Sequence, residues 1–150
     1  MVSPSETEME ALIDLFKARP LQQGDYFLRA GDQSTELVFV NAGLLRFFYQ
    51  TADGKEFNKS FVPENQFASA YSAFLNNTPA RFSIQALEPS HLLVCDLRPV
   101  IDLFDRHRCW EKLGRILAEQ LYIKKETREA DFFSMTPKPD TTASRKPILD

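Results

Sequence analysis

Cysteine and histidine are nearly missing from this chain, with two of each among 150 residues. Cys95 and Cys109 are too few for a disulfide framework, and their separation of 14 positions matches no zinc or redox spacing. They read as core or surface thiols. His91 alternates with Leu92 on an expected strand and His107 falls in a charged helix-end segment. No ligand set converges, so neither a metal site nor a cofactor is expected. Long apolar runs are also missing: none approaches the ~18 residues of a membrane span. The start, Met1 to Glu6, lacks the charged and apolar regions of a signal peptide. The expectation is no membrane contact and a cytoplasmic location. Excess basic charge is absent as well, since 18 Lys and Arg stand against 21 Asp and Glu for a net charge of −3. No face concentrates cations for phosphate binding, so DNA binding by this chain alone is not expected.

Aromatic and aliphatic residues are plentiful, with 13 Phe and 43% hydrophobic content, enough to bury one sizeable core at a single-domain length. Gly24-Asp25, Gly31-Asp32, Asn41-Ala42-Gly43 and Ala52-Asp53-Gly54 supply turn residues. Between them, residues 26–28, 36–40, 44–50 and 56–61 are rich in Phe, Val and Tyr and read as strands. Several short strands so punctuated suggest a small antiparallel barrel or sandwich. Asp53-Gly54 suits a two-residue hairpin turn. In 44–50 the alternation places Leu45, Phe47 and Tyr49 on one face and Leu44, Arg46, Phe48 and Gln50 on the other, so one face should be buried in the barrel and the other partly exposed. A weaker alternation marks 90–96.

Helical spacing brackets these strands. Ser5 with Glu8 makes a capping box, and Met9, Leu12, Ile13 and Phe16 continue an amphipathic helix that is expected to pack on the barrel until Pro20 ends it. Residues 97–105 read as a short helix with Pro99 in its first turn. The longest helix is expected over about 109–132. There Trp110, Leu113, Leu117, Leu121 and Lys124 recur at spacings of three and four, a narrow seam of the kind that meets a second helix. Ile116 and Ile123 widen it toward the barrel, and Gly114 permits close backbone approach. The competing reading packs this stripe only on its own barrel. Residues 136–150 hold Pro137, Pro139 and Pro147 with no apolar period, and read as a loose tail.

Taken in order, Gly24-Asp25-Tyr26-Phe27-Leu28, Phe39 through Arg46, Asp53-Gly54-Lys55-Glu56, Pro63-Glu64-Asn65-Gln66-Phe67 and Arg81 through Ala86 resemble the cyclic-nucleotide-binding sensor domain of Crp/Fnr-type bacterial transcription regulators, from Leu12 to Thr136. The resemblance implies a mainly β fold with flanking helices: a double-stranded β-helix (jelly-roll) barrel followed by a long C-terminal dimerisation helix. Residues 1–135 would form the sensor domain, and the chain would be a homodimer through Trp110, Leu113, Leu117 and Leu121. No recognition helix follows Met135, so the family's DNA-binding module is expected to be absent, by truncation, frameshift or design. The paucity of cysteine separates the chain from the oxygen-sensing branch, whose iron–sulfur cluster takes about four Cys ligands.

The resemblance also locates an effector site between Phe67 and Ala86. A cyclic nucleotide wants an Arg and helix N–H groups for its phosphate and a carboxylate for its ribose hydroxyl. The family meets this with a Gly-Glu pair shortly after a Phe and with an Arg followed by a small residue. Counted from Phe67, Ser69 and Ala70 occupy the Gly-Glu positions, so the carboxylate is absent. Arg81 lies one residue off the family position, counted from Ala86, and Phe82 follows it. The candidate effector residues are Ser69, Ala70, Tyr71, Ser72, Arg81, Phe82, Ser83, Gln85 and Lys124. Three roles remain open for Arg81: binding a small anionic effector, forming a surface ion pair, or closing the loop on Glu64 or Glu88. The site is read as degenerate, taking cyclic nucleotide weakly or not at all, and the protein as no enzyme. Two alternatives are a full DNA-binding regulator that has been cut, and a cupin-like small-molecule-binding protein, which would want inward His and Glu ligands.

Overall fold

A computed structural model describes residues 5–106 and 108–135, without the side chains of Leu113, Leu117, Gln120, Leu121, Lys124, Arg128 and residues 131–135. Helix α1 (Glu6–Ile13) is followed by strands β1 (Lys17–Leu21), β2 (Tyr26–Leu28), β3 (Glu36–Ala42), β4 (Leu45–Gln50), β5 (Glu56–Val62) and β6 (Phe67–Ser69). Helix α2 (Tyr71–Asn76), strands β7 (Ser83–Ala86) and β8 (Ser90–Asp96), and helices α3 (Leu97–Arg106) and α4 (Arg108–Met135) complete the chain. The strands form two antiparallel sheets, ordered β1-β8-β3-β6 and β2-β7-β4-β5. Val38, Val40, Leu45, Ile84 and Leu92 meet between them, each at most 1% exposed. The architecture is mainly β and agrees with the expected jelly-roll. Among the described residues no helix is long and apolar enough to cross a membrane.

Local chemistry sets the strand ends. The capping box forms as the sequence suggests, with Ser5 N donating to Glu8 and Glu8 N donating to the Ser5 hydroxyl. Helix α1 stops at Ile13, however, rather than running to Pro20. Pro20 lies inside β1, opposite His91. Among the described residues β1 is an edge strand paired with β8 alone, a place where a proline is tolerated. Helix α1 fully buries no residue: Met9 and Ile13 are exposed, while Glu8 and Leu12 are half-buried.

The Asp53-Gly54 turn also differs from expectation. Gly54 N donates to Thr51 O and Thr51 N to Lys55 O, with positive φ at Gly54 alone of the pair. That is the longer hairpin loop in which a β-turn is followed by one left-handed residue. Asp53 accepts a hydrogen bond from the Thr51 hydroxyl, which lowers its carboxyl below the ordinary value. On β4, Leu45 and Phe47 belong to the core cluster, and Phe48 on the opposite face is also only 1% exposed. The Arg46 guanidinium lies 3.9 Å over its ring and Tyr26 covers it at 6.1 Å. Tyr49, on the same face as Leu45 and Phe47, is 40% exposed, as its cross-strand partner Phe57 is at 55%.

The helices after β8 pack on one another. Gly114 does allow a close approach, but to α3 of the same chain: a Cβ there would sit 2.9 Å from the Phe104 ring. Trp110 is 1% exposed within its own chain, so it has no side-chain surface to offer a seam. Ile123 is 60% exposed and does not widen the stripe toward the barrel. The seam residues Leu113, Leu117 and Leu121 have side chains outside those described, and His107 and the expected tail 136–150 lie outside the described residues altogether.

The turn between β3 and β4 shows how tightly the sheets are joined. Gly43 has φ +111°, and a Cβ there would lie 2.1 Å from Ser90 Oγ. That hydroxyl accepts from Leu44 N and donates to Glu88 O, and Ser90 is 1% exposed. Gly43→Ala therefore meets both backbone strain and a fixed neighbour, and is expected to destabilise by at least about 2 kcal/mol. Gly54→Ala meets only the strain, with nothing within 4 Å, and should lose roughly 1 kcal/mol. Urea unfolding midpoints of the two variants check the difference.

Candidate effector site

The site is built on the chain that joins the two sheets. Strand β6 ends at Ser69, Ala70 makes the bend into α2, and Asn77 ends α2 in the left-handed conformation with φ +52°. Thr78 N then donates to Ala73 O and turns the chain back. The returning segment is pinned by backbone: Gly31 N donates to Ala80 O at 2.7 Å, and Ala80 N to Asp32 O at 2.9 Å. Ala30 N adds a bond to the Ser83 hydroxyl at 2.9 Å.

Pinning Ala80 in the core, at 4% exposure, fixes what its neighbours do. Arg81 points out and is exposed, whereas Phe82 packs against the core. Its ring stacks on Phe47 with centroids 4.8 Å apart and planes 18° apart. Tyr49 meets it edge-on at 6.2 Å, and the Lys59 ammonium stands 4.3 Å from its centroid. Ala70, Ala73 and Ala80 belong to the same buried core cluster as Phe47.

The sequence-derived residues therefore do not form one pocket. Ala70, which the sequence count from Phe67 places at the expected carboxylate position, is 3% exposed and part of the core. The Ser69 hydroxyl donates to Glu36 O. Tyr71 and Ser72 are exposed on α2, with Tyr71 against Phe74 and Ser72 accepting from Asn76. Along β7, Phe82, Ile84 and Ala86 join the core side, while Ser83 and Gln85 belong to the opposite side. Gln85 accepts from Arg46 Nε and Nη2 and donates to Gly24 O. The side chain of Lys124 lies outside those described. Sequence reasoning missed Phe47, Tyr49 and Lys59 as neighbours of Phe82. The alternation of β4 signals the first two; nothing in the sequence signals the third.

Arg81 makes no ion pair or hydrogen bond with a described residue. Glu64 instead accepts from Gly43 N. Among the described residues no group of three or more His, Cys, Asp or Glu can hold a metal. Cys95 is 3% exposed, and burial pushes its thiol up to about 11, with Asp96 and Glu36 adding to the effect. It stays a protonated, unreactive thiol at neutral pH. A separate groove of about 260 Å³ runs along β2 and the loop after it, lined by Tyr26, Arg29, Asp32 and Glu36 among others.

Residues 18–107 match the family model described as the cyclic nucleotide-binding domain. No curated protein matches the chain. Solved structures do. The catabolite activator protein of Thermus thermophilus is 23% identical with a TM-score of 0.65, covering 87% of this chain and 60% of its own. A cyclic nucleotide-binding domain from Methylobacillus flagellatus KT is 14% identical with a TM-score of 0.75, covering 93% of this chain and 78% of that one. The c-di-GMP responsive global regulator CLP of Xanthomonas campestris is 16% identical with a TM-score of 0.69, over 86% of this chain and 64% of that regulator. The chain thus spans about 60% of the length of the Thermus protein that it matches.

The exposure of Arg81 gives a direct expectation. An exposed cation with no described partner contributes little to stability. Arg81→Ala should change the unfolding free energy by less than about 0.5 kcal/mol, measured by urea titration. A loss of about 2 kcal/mol would instead mark a loop-closing pair.

Proposed function

The chain belongs to the cyclic nucleotide-binding domain family, and from that premise we propose that it is a Crp/Fnr-type regulator sensor domain whose barrel is closed to cyclic nucleotides. The observation that carries this reading is the Phe82 ring stacked on Phe47 at 4.8 Å, together with a core alanine where the family places its ribose acceptor. Admitting a purine would mean moving Phe82 into water. Fully burying such a ring is worth about 1.5–3 kcal/mol, an upper bound for the half-buried Phe82, and an aromatic pair adds about 0.5–1.5 kcal/mol. The missing charged hydrogen bond removes roughly another 1.5–3 kcal/mol. Together these amount to roughly two and a half to five decades of affinity. The domain catalyses nothing; it acts in the cytoplasm and passes its output through a partner or an attached module. By itself it does not bind DNA in this reading, which its net charge of −3 supports.

Calorimetric titration is the test. Cyclic AMP and cyclic GMP are expected to bind with dissociation constants weaker than about 100 μM, and low-micromolar binding of either would overturn the reading.

Assembly is the second part of the proposal. Helix α4 runs over Arg108–Met135 and leaves Tyr122 and Ile123 67% and 60% exposed. The spacing of Leu113, Leu117 and Leu121 supports a two-fold seam with a second copy. Each buried Leu would contribute about 1.5–3 kcal/mol. Replacing Leu117 and Leu121 together by Glu sets like charges against each other at the axis. In sedimentation at ~50 μM the parent is expected to be a dimer and the variant a folded monomer that keeps its β signal. A monomeric parent would refute the seam, and an unfolded variant would assign these leucines to the domain's own core.

A further inference from the structure

Strand β5 does not run evenly against β4. Ser60 is opposite Phe47 and Asn58 is opposite Phe48, so Lys59 is the extra residue of a β-bulge. In a regular strand Lys59 and Ser60 would face opposite sides of the sheet. Here the bulge brings the Lys59 ammonium to 4.3 Å from the Phe82 centroid and 5.9 Å from that of Phe47. The two rings are 4.8 Å apart, so the ammonium that lies over the Phe82 ring is also within cation–π reach of Phe47. Lys59 is half-buried, which strengthens such a contact relative to one in open water. It is also the one cation on β5, and bulges commonly serve to re-aim a side chain at a site.

We propose that Lys59 is a specificity-determining residue of the closed barrel: its inward ammonium ties the Phe82 ring to Phe47 and keeps planar aromatic ligands out of the space that ring fills. The inference rests on the closed-barrel reading. Lys59 acts through Phe82 and is thus a positioning residue, with the positive charge, not the length of the stem, as the operative feature. Losing a cation–π contact of ordinary strength should raise the population with Phe82 turned out by about fivefold.

Indole is a suitable probe, because it has a planar ring and neither phosphate nor ribose, so the absent carboxylate has no bearing on its binding. The parent and Lys59→Arg are expected to show no thermal shift with millimolar indole and to share the same Phe82 ring-proton resonances. Phe82→Ala, with a ring-sized void, should take up indole and gain several degrees. Lys59→Met should bind indole more weakly than Phe82→Ala but measurably, with its Phe82 resonances moved. If Lys59→Met excludes indole and leaves those resonances where the parent has them, the inference is wrong. Should Phe82→Ala fail to fold, the comparison of Lys59→Met with Lys59→Arg decides the matter alone. Uptake of indole by the parent would instead sink the closed-barrel reading on which the inference stands.

Discussion

The backbone pinning of Ala80 governs the closed end of this barrel. Two hydrogen bonds tie its N–H and C=O to the Gly31-Asp32 turn, and a third ties Ser83 to Ala30. Buried backbone groups must find partners, so the segment cannot slide by one residue without losing these bonds. With Ala80 in the core, side-chain alternation sends Arg81 to solvent and Phe82 inward. A shift of one position would exchange the two, placing a guanidinium in the barrel and a phenyl ring in water. Which of Arg81 and Phe82 packs on Phe47 is therefore a matter of register.

The wall opposite obeys the same logic. Phe47 faces inward because β4 alternates from Leu45, and the β5 bulge adds Lys59 to the same side. On the other face of that sheet, Arg46 stacks on Phe48 and is held by Gln85, Asn58 and Glu56. Its Glu56 ion pair has a guanidinium side chain only 15% exposed. The polar network thus clamps the hairpin to β7 from outside, while the aromatic stack fills the inside. One strand, β7, takes part in both, through Gln85 outward and Ile84 inward.

Much of the fold was legible in the sequence because turn residues and apolar alternation are local signals. Strand positions 26–28 and 90–96, the Ser5 capping box and the helix after Asp96 follow from them directly. The errors came from tertiary context. Pro20 reads as a stop until β1 is known to be an edge strand, and Gly114 reads as a contact for a second helix until Phe104 of α3 is found against it. The site was less legible. The absence of a carboxylate at Ala70 could be read by counting from Phe67. Grouping Arg81, Phe82, Ser83 and Gln85 into one pocket, however, ignored the two-residue period of the strand that they enter. The inward turn of Lys59 had no signal at all, since a bulge is a property of paired strands rather than of one segment.

The central claim is that Phe82 occupies the barrel against Phe47 whether or not a nucleotide is offered. The most direct measurement is the nuclear Overhauser contact between the two rings, recorded without ligand and again with millimolar cyclic AMP. The account expects the same inter-ring contact in both spectra. Loss of that contact on adding the nucleotide, with new contacts from the purine protons to Phe47, would contradict it.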